Sequence, residues 1–124
     1  MIPPSIDVDV TTEYVVEQSD PAEERYVFAY TIVISHRSGD RCQLLNRFWR
    51  ITDGGGNVEE VRGPGVVGHQ PEFVQGESFK YTSGAVLKTP VGSMEGAYEF
   101  VDGDGRTFDV PIAPFALRVP NLVH

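Results

Sequence analysis

The fold is decided by Arg25-Tyr26-Val27-Phe28-Ala29-Tyr30-Thr31-Ile32-Val33-Ile34-Ser35, a stretch that is apolar on both faces of a β-strand. Successive side chains of a strand point to opposite faces of the sheet. One face carries the larger residues, which are Tyr26, Phe28, Tyr30, Ile32 and Ile34. The other face carries Val27, Ala29 and Val33. Because neither face is polar, we predict that this strand is central in its sheet.

The rest of the chain also has the patterns of strands. Ile6, Val8, Val10, Thr12, Tyr14 and Val16 alternate with mostly polar residues, which predicts a long first strand. A shift in the phase of the apolar positions predicts a β-bulge in the strand at residues 41–52. Turn residues at 53–57 and 102–105 predict two hairpins. The remaining strands are predicted near residues 58–61, 78–82, 94–101, 107–112 and 116–119.

Short strands at this spacing, with no helical pattern between them, predict an all-β fold. We expect an antiparallel β-sandwich of about seven to nine strands. The 124 residues suit a single domain spanning residues 1–124.

The composition excludes several classes of function. A net charge of -8 argues against binding to nucleic acid and against binding to an anionic membrane surface. No apolar run is long enough to cross a bilayer, and the N-terminal residues do not resemble a signal peptide. The single cysteine, Cys42, agrees with a reducing compartment and is expected to be buried. These features predict a soluble, cytoplasmic protein.

Four arginines lie close together in the sequence, at Arg37, Arg41, Arg47 and Arg50, with Asp40 as the only acidic residue among them. Two interpretations are open. The arginines either cover the solvent face of one strand or form an anion site.

The sequence lacks the residues that an enzyme or a metal centre requires. His36, His69 and His124 are not placed beside a nucleophile, and Ser83 is interpreted as a turn hydroxyl. Asp102 and Asp104 resemble the start of a calcium loop, but the later ligands are missing. We therefore predict no catalytic residues, no cofactor and no metal site. Weak surface binding of magnesium or cobalt by Asp102, Asp104 and Asp109 is kept as a hypothesis.

A glycine-rich motif spans Gly63-Pro64-Gly65-Val66-Val67-Gly68-His69-Gln70-Pro71. Gly63, Gly65 and Gly68 have the spacing of a dinucleotide fingerprint, which places phosphates at the N-terminus of a helix. Pro71 prevents a helix from following here. The glycines therefore either allow positive φ in a loop that crosses between the sheets or supply backbone N–H groups to a phosphate.

The chain resembles the bacterial ApaG family over nearly its whole length. The resemblance lies in five blocks: Glu24-Arg25-Tyr26-Val27-Phe28-Ala29-Tyr30-Thr31, Gln43-Leu44-Leu45-Asn46-Arg47-Phe48-Trp49, Gly65-Val66-Val67-Gly68-His69-Gln70-Pro71, Phe79-Lys80-Tyr81-Thr82-Ser83-Gly84 and Val119-Pro120-Asn121-Leu122-Val123-His124. The resemblance implies a β-sandwich of the fibronectin type III or immunoglobulin-like kind. It also implies a link to cobalt and magnesium resistance or efflux, and it supplies no catalytic residues. Related domains in eukaryotic F-box proteins and in a polymerase-delta-interacting protein resemble protein-interaction modules.

Two functions are consistent with these observations. The first is a non-enzymatic domain that binds a protein partner, with contacts from Val66, Val67, His69 and Phe73. Trp49 and Phe73 are candidate aromatic anchors, although a tryptophan on this strand is also typical of a sandwich core. Any effect on metal efflux would then be indirect, because nothing in the sequence spans a membrane.

The alternative is a sensor of nucleotides or pyrophosphate, including diadenosine polyphosphates. It would hold its ligand on Gly63, Gly65 and Gly68, assisted by Arg47 or Arg62.

Overall fold

The computed structural model describes residues 2–120. Eight β-strands and two short 3-10 helices make up this part of the chain. The strands are β1 (Ser5–Tyr14), β2 (Tyr26–Ser38), β3 (Cys42–Asp53), β4 (Val58–Pro64), β5 (Glu72–Phe73), β6 (Ser78–Leu87), β7 (Val91–Asp102) and β8 (Thr107–Arg118). The 3-10 helices, Val16–Gln18 and Pro21–Glu23, lie between β1 and β2.

The strands form two antiparallel sheets. One sheet has the order β1-β2-β6, and the other has the order β4-β3-β7-β8, with β5 pairing beside β4 on the same edge of β3. The predictions of an all-β fold and an antiparallel sandwich are confirmed, and the strand count lies within the predicted range. β2 is the central strand of its sheet, as its sequence predicts.

The two faces of β2 differ more than the sequence indicates. Phe28, Tyr30, Ile32 and Ile34 are buried in the core between the sheets. On the other face, Thr31 and Val33 are only half-buried. The Thr31 hydroxyl forms a hydrogen bond of 2.8 Å with the Thr82 hydroxyl of β6. Apart from Val27, which is buried near the start of the strand, the second face is thus a partly exposed surface of small and β-branched residues.

Several predicted boundaries are wrong. β4 extends beyond residue 61 to Pro64, and β6 extends beyond residue 82 to Leu87. The two strands predicted near residues 107–112 and 116–119 form one strand, β8. β8 accommodates Pro111 and Pro114 because it is an edge strand, where an N–H group facing solvent is not needed for pairing.

The predicted bulge in β3 is confirmed. Leu44 pairs with Phe100 of β7, but Asn46 pairs with the adjacent residue Glu99, so Leu45 is the extra residue. The bulge reverses which residues of β3 face the core. After it, Trp49 is buried, as expected for a core tryptophan.

Aromatic side chains join the two sheets. The Trp49 ring lies 5.4 Å from the Tyr30 ring and 6.3 Å from the Tyr98 ring, in edge-to-face geometries. The hydroxyl groups of Tyr81 in β6 and Tyr98 in β7 form a buried hydrogen bond across the core. Burial raises the pKa of Tyr81 to about 12, so both phenols are neutral at ordinary pH.

We predict that each of the substitutions Tyr81→Phe and Tyr98→Phe destabilises the fold by about 1–3 kcal/mol, because it leaves the other buried hydroxyl without its partner. The double variant should lose less stability than the sum of the two single variants, since neither hydroxyl is then left unpaired. Urea unfolding of the four proteins measures this coupling. Additive losses would show that the hydrogen bond does not link the sheets energetically.

Candidate functional site

The glycine-rich motif forms a tight turn after β4. Val66 and His69 exchange two backbone hydrogen bonds, with N···O distances of 2.8 and 2.9 Å. The two residues between them have positive φ, +43° at Val67 and +83° at Gly68. Positive φ at both central positions is the signature of the turns that join two-residue hairpins. The segment is therefore an ordered hairpin turn, which we call the Val66–His69 turn.

The turn is anchored on the bulge of β3. The Leu45 carbonyl accepts a hydrogen bond of 2.8 Å from the Gly65 amide and one of 2.9 Å from the Gln70 side chain. The Leu44 amide donates to the Pro71 carbonyl at 3.0 Å. The bulge residue, which pairs with no residue of β7, thus uses its carbonyl to hold the loop.

Arg47 holds the loop from the inner face of the sheet. It lies opposite Gly63 of β4 and Tyr98 of β7. Its guanidinium donates to the Pro64 carbonyl at 2.8 Å and to the Gly65 carbonyl at 3.1 Å. A β-carbon at Gly63 would lie 3.1 Å from the guanidinium nitrogens. Gly63 therefore leaves space for the arginine that stabilises the loop.

The other two glycines of the fingerprint also have structural roles. Gly65 has a φ of +63°, and a β-carbon there would lie 2.4 Å from the His69 carbonyl oxygen. Gly68 has a φ of +83° with open space around it. The amides of Gly65, Val66 and His69 already donate to protein carbonyls. A phosphate bound by these three amides would have to replace those hydrogen bonds, and the phosphate loop stays a prediction.

Two of the four predicted partner-contact residues are buried. Val66 is 0% exposed, and Phe73 is 1% exposed, with its ring 6.0 Å from the Phe100 ring. The prediction that Phe73 is an exposed anchor is wrong, because β5 places its side chain in the core. Val67 is 51% exposed. His69 is exposed, and its ring lies 5.7 Å from the Phe79 ring. Val67 and His69 are thus the predicted residues that a partner can reach.

The arginine cluster does not form one site. Arg37 pairs with Asp7, Arg41 with Glu72 at 2.8 Å, and Arg50 with Glu60 at 2.9 Å, whereas Arg47 binds the loop carbonyls. Each of these guanidinium groups is already bonded to a carboxylate or a carbonyl. An anion would have to compete with these contacts.

Arg62 packs on the ring of Phe48. Its guanidinium carbon is 4.1 Å from the centre of the Phe48 ring. Phe48 and Arg62 are paired in register, one position along from Arg47 and Gly63. Adjacent positions of a strand point to opposite faces. The side chains of Arg47 and Arg62 therefore leave the sheet on opposite faces, although both residues border one depression of the surface.

The sequence reasoning missed the outer face of the larger sheet. There, a depression of about 530 Å³ is lined by Asn46, Phe48, Arg62, Ala97, Glu99 and Asp109, and Arg47, Gly63 and Pro64 border it as well. The adjacent aromatic residues Phe48 and Trp49 are a sequence signal for this outer surface. Two neighbouring residues of a strand cannot both face the core, so one of the two rings must lie on the outer face.

The remaining candidates for chemistry have structural explanations. The Asp102 carboxylate accepts hydrogen bonds from the amides of Asp104 and Arg106, at 2.9 and 3.0 Å, and closes the predicted hairpin. Ser83 lies within β6 instead of in a turn. Within residues 2–120, no three His, Cys, Asp or Glu side chains are grouped so that they could hold a metal ion. No helix in the same residues has the length and apolar character needed to cross a membrane.

Together these features define an open antiparallel β-sandwich that presents an anchored glycine-rich turn. The family model of the ApaG domain matches residues 16–102. A protein from Nitrosospira multiformis named Protein ApaG is 54% identical over 119 residues, which are 96% of this chain and 94% of that protein. Protein ApaG of Klebsiella pneumoniae is 50% identical, covering 98% of this chain and 97% of its own length.

A solved structure agrees with these matches. The crystal structure of the putative ApaA protein from Bordetella pertussis has a TM-score of 0.94 and 50% sequence identity, covering 98% of each chain. The chain belongs to the ApaG family. The resemblance seen in the sequence is thus confirmed.

We predict that the three glycines of the fingerprint respond differently to alanine. Gly65→Ala should cost about 1–3 kcal/mol, because it combines a left-handed φ with a steric clash. Gly68→Ala should cost about 1 kcal/mol from its φ alone. Gly63→Ala should change the stability by less than about 0.5 kcal/mol, because the arginine side chain can shift. Thermal or urea unfolding measures the loss of stability in each variant. Equal losses in the three variants would contradict these roles.

We also predict that Cys42 is unreactive in the folded protein. The thiol is buried, and burial, followed by the charge of Asp102, raises its pKa to about 11. Because the neutral thiol is favoured in the fold, its contribution to stability is present below about pH 9 and is lost as the pH rises towards about 11. At pH 8, labelling with a disulfide reagent should be at least about a hundredfold faster in denaturant. Fast labelling without denaturant would contradict this burial.

Proposed function

We propose that the protein is a non-enzymatic binding domain that contacts a protein partner through the Val66–His69 turn. The observation that carries the proposal is the conformation of Val67. This residue is exposed at the tip of the turn with a φ of +43°. A β-branched residue with positive φ is an outlier, and such strain costs on the order of 1–3 kcal/mol.

The hydrogen bonds that close and anchor the turn hold Val67 in this conformation. Asparagine or glycine adopts this conformation at lower cost. The valine instead presents an apolar side chain that is 51% exposed. Strained residues cluster at binding sites, which supports a role for Val67 in contacting a partner.

The anchoring of the turn favours binding as well. Hydrogen bonds from Arg47, Gln70 and Gly65 hold the loop in one conformation on β3. A preorganised loop loses little conformational entropy when a partner binds. His69 and Gln70, both exposed, place polar groups beside the apolar tip. This combination of an apolar centre and a polar surround resembles a small protein interface.

The association of the family with cobalt and magnesium resistance is compatible with this proposal if the effect on metal resistance is indirect. A cytoplasmic domain of this kind would act on metal efflux through the protein that it binds. The metal itself would not need a site on the domain.

We expect Val67→Asn to stabilise the fold by about 1 kcal/mol, because asparagine tolerates positive φ, and to weaken partner binding at least about tenfold. Immobilised wild-type and variant proteins would be compared by quantitative mass spectrometry of what they capture from a Klebsiella pneumoniae lysate. Thermal unfolding would report the stability of each variant.

Val16→Asn is the matched control, because Val16 is an exposed valine in the 3-10 helix after β1. It should retain partner binding. If the same proteins bind equally well to wild type and Val67→Asn, or if nothing binds specifically, the proposal is wrong.

A further inference from the structure

One edge of the smaller sheet is open. β6 pairs with β2 along its whole length, from Ser78 to Leu87. In residues 2–120, no backbone hydrogen bond joins β6 to any segment other than β2. The second edge of β6 therefore offers N–H and C=O groups that can pair with another strand.

The other edge strands are protected against such pairing. β8 contains Pro111 and Pro114, which lack an N–H group. β1 packs near β8 and carries exposed acidic residues, among them Asp7 and Asp9. β4 ends at Pro64 and has a charged residue, Glu59, on the same face as its half-buried neighbour Ile51. Prolines and inward-pointing charges are common devices for blocking edges.

β6 is protected less, by a single exposed lysine, Lys80. Its sequence, Ser78-Phe79-Lys80-Tyr81-Thr82-Ser83-Gly84-Ala85-Val86-Leu87, contains no proline and one charged residue. It ends with Val86, a β-branched residue that is 52% exposed. An open edge of ten residues with only one charged residue is a hazard for aggregation unless a partner covers it.

A groove adjoins the open edge. It has a volume of about 310 Å³ and lies between the end of β6 and the β3–β4 hairpin. Ile51, Val58, Val86 and Leu87 supply its apolar surface, and Asp53, Asn57, Glu59 and Lys88 supply its polar groups. Val58 is 57% exposed. An extended chain beside β6 could place apolar side chains in this groove.

The opposite end of β6 reaches the Val66–His69 turn, because the Phe79 ring contacts the His69 ring. From Phe79 to Leu87 an extended strand covers about 26 Å. A peptide of about eight or nine residues would therefore connect the turn with the groove.

The overall charge of the protein favours one kind of occupant for this edge. The protein carries a net charge of -8, so a second copy would be repelled, whereas a basic segment would be attracted. The groove itself contains the carboxylates of Asp53 and Glu59 and the ammonium group of Lys88, which lies near enough to Asp53 to act on its carboxylate. Asp53 is engaged by the Asn57 amide and side chain, which lower its pKa. Glu59 projects at the groove beside Ile51 and is placed to meet a basic side chain.

We propose that β6 binds an extended, positively charged peptide segment of a partner protein, which adds to the sheet as a strand and inserts apolar side chains into the groove. This inference rests on the proposed function, because it names the kind of partner that the domain takes. Backbone pairing supplies affinity in such strand addition, and the groove supplies specificity.

The test begins with a displayed library of random twelve-residue peptides, selected against the immobilised full-length protein. We expect the selected peptides to be rich in Lys and Arg, with these basic residues alternating with apolar ones. A representative synthetic peptide should slow hydrogen exchange of β6 amides between Phe79 and Leu87. No selection above background, or protection confined to other strands, would overturn the proposal.

Val86→Lys should reduce the affinity of that peptide at least about tenfold, because a lysine on the edge repels the basic peptide and blocks the groove. Val16→Lys is the matched control, since Val16 follows β1 on the other side of β2, and it should bind as wild type. Thermal unfolding confirms that both variants fold. Equal affinities of Val86→Lys and wild type would contradict the site.

Two further outcomes distinguish a bound peptide from a second copy of the protein, and this inference from the proposed function. A dimer of the wild-type protein in sedimentation that Val86→Lys dissociates would overturn the proposal, because a second copy would then occupy the edge. If no peptide binds while Val67→Asn still reduces partner capture, this inference fails and the proposed function stands.

Discussion

The single extra residue in β3, Leu45, is the constraint on which the rest of the structure depends. Before the bulge, Leu44 faces the core, and after it Trp49 does so. Without the extra residue, the strict alternation of a strand would turn Trp49 to solvent and Phe48 inwards. The aromatic cluster that joins the two sheets would then lose its centre. The same bulge leaves the Leu45 carbonyl available to the glycine-rich loop, so the core and the candidate site share one cause.

This dependence explains why a motif that imitates a phosphate loop has a different role here. In a dinucleotide-binding fold the glycines lead into a helix, whose free N–H groups meet the phosphates. In this sandwich the loop returns to β3, and its carbonyls receive the guanidinium of Arg47. The same spacing of glycines is thus compatible with a loop whose N–H groups face an anion and with a loop whose carbonyl groups face a cation. The surrounding strands decide which of them forms.

The two surfaces that we propose for binding follow from the open architecture of the sandwich. The smaller sheet ends at β6 on the side where the larger sheet ends at β4 and the Val66–His69 turn. The strained Val67 and the unpaired edge of β6 both carry a cost for the isolated domain. A partner that covers this side would pair with the open edge of β6 and contact the apolar side chain of Val67. One bound partner would therefore occupy both proposed surfaces.

The sequence by itself determined the all-β class, the central position of β2, the bulge in β3 and the hairpin turns, because alternation and turn residues act over a few neighbouring positions. It also determined membership of the ApaG family through its five blocks. Only the tertiary structure decided that Phe73 and Val66 are buried, that Arg47 and Arg62 lie on opposite faces, and that β6 is an open edge. These properties depend on which strands pair and which face of each is covered. Strand pairing and the covering of each face are set by contacts between residues far apart in the chain. Local periodicity carries no information about such contacts.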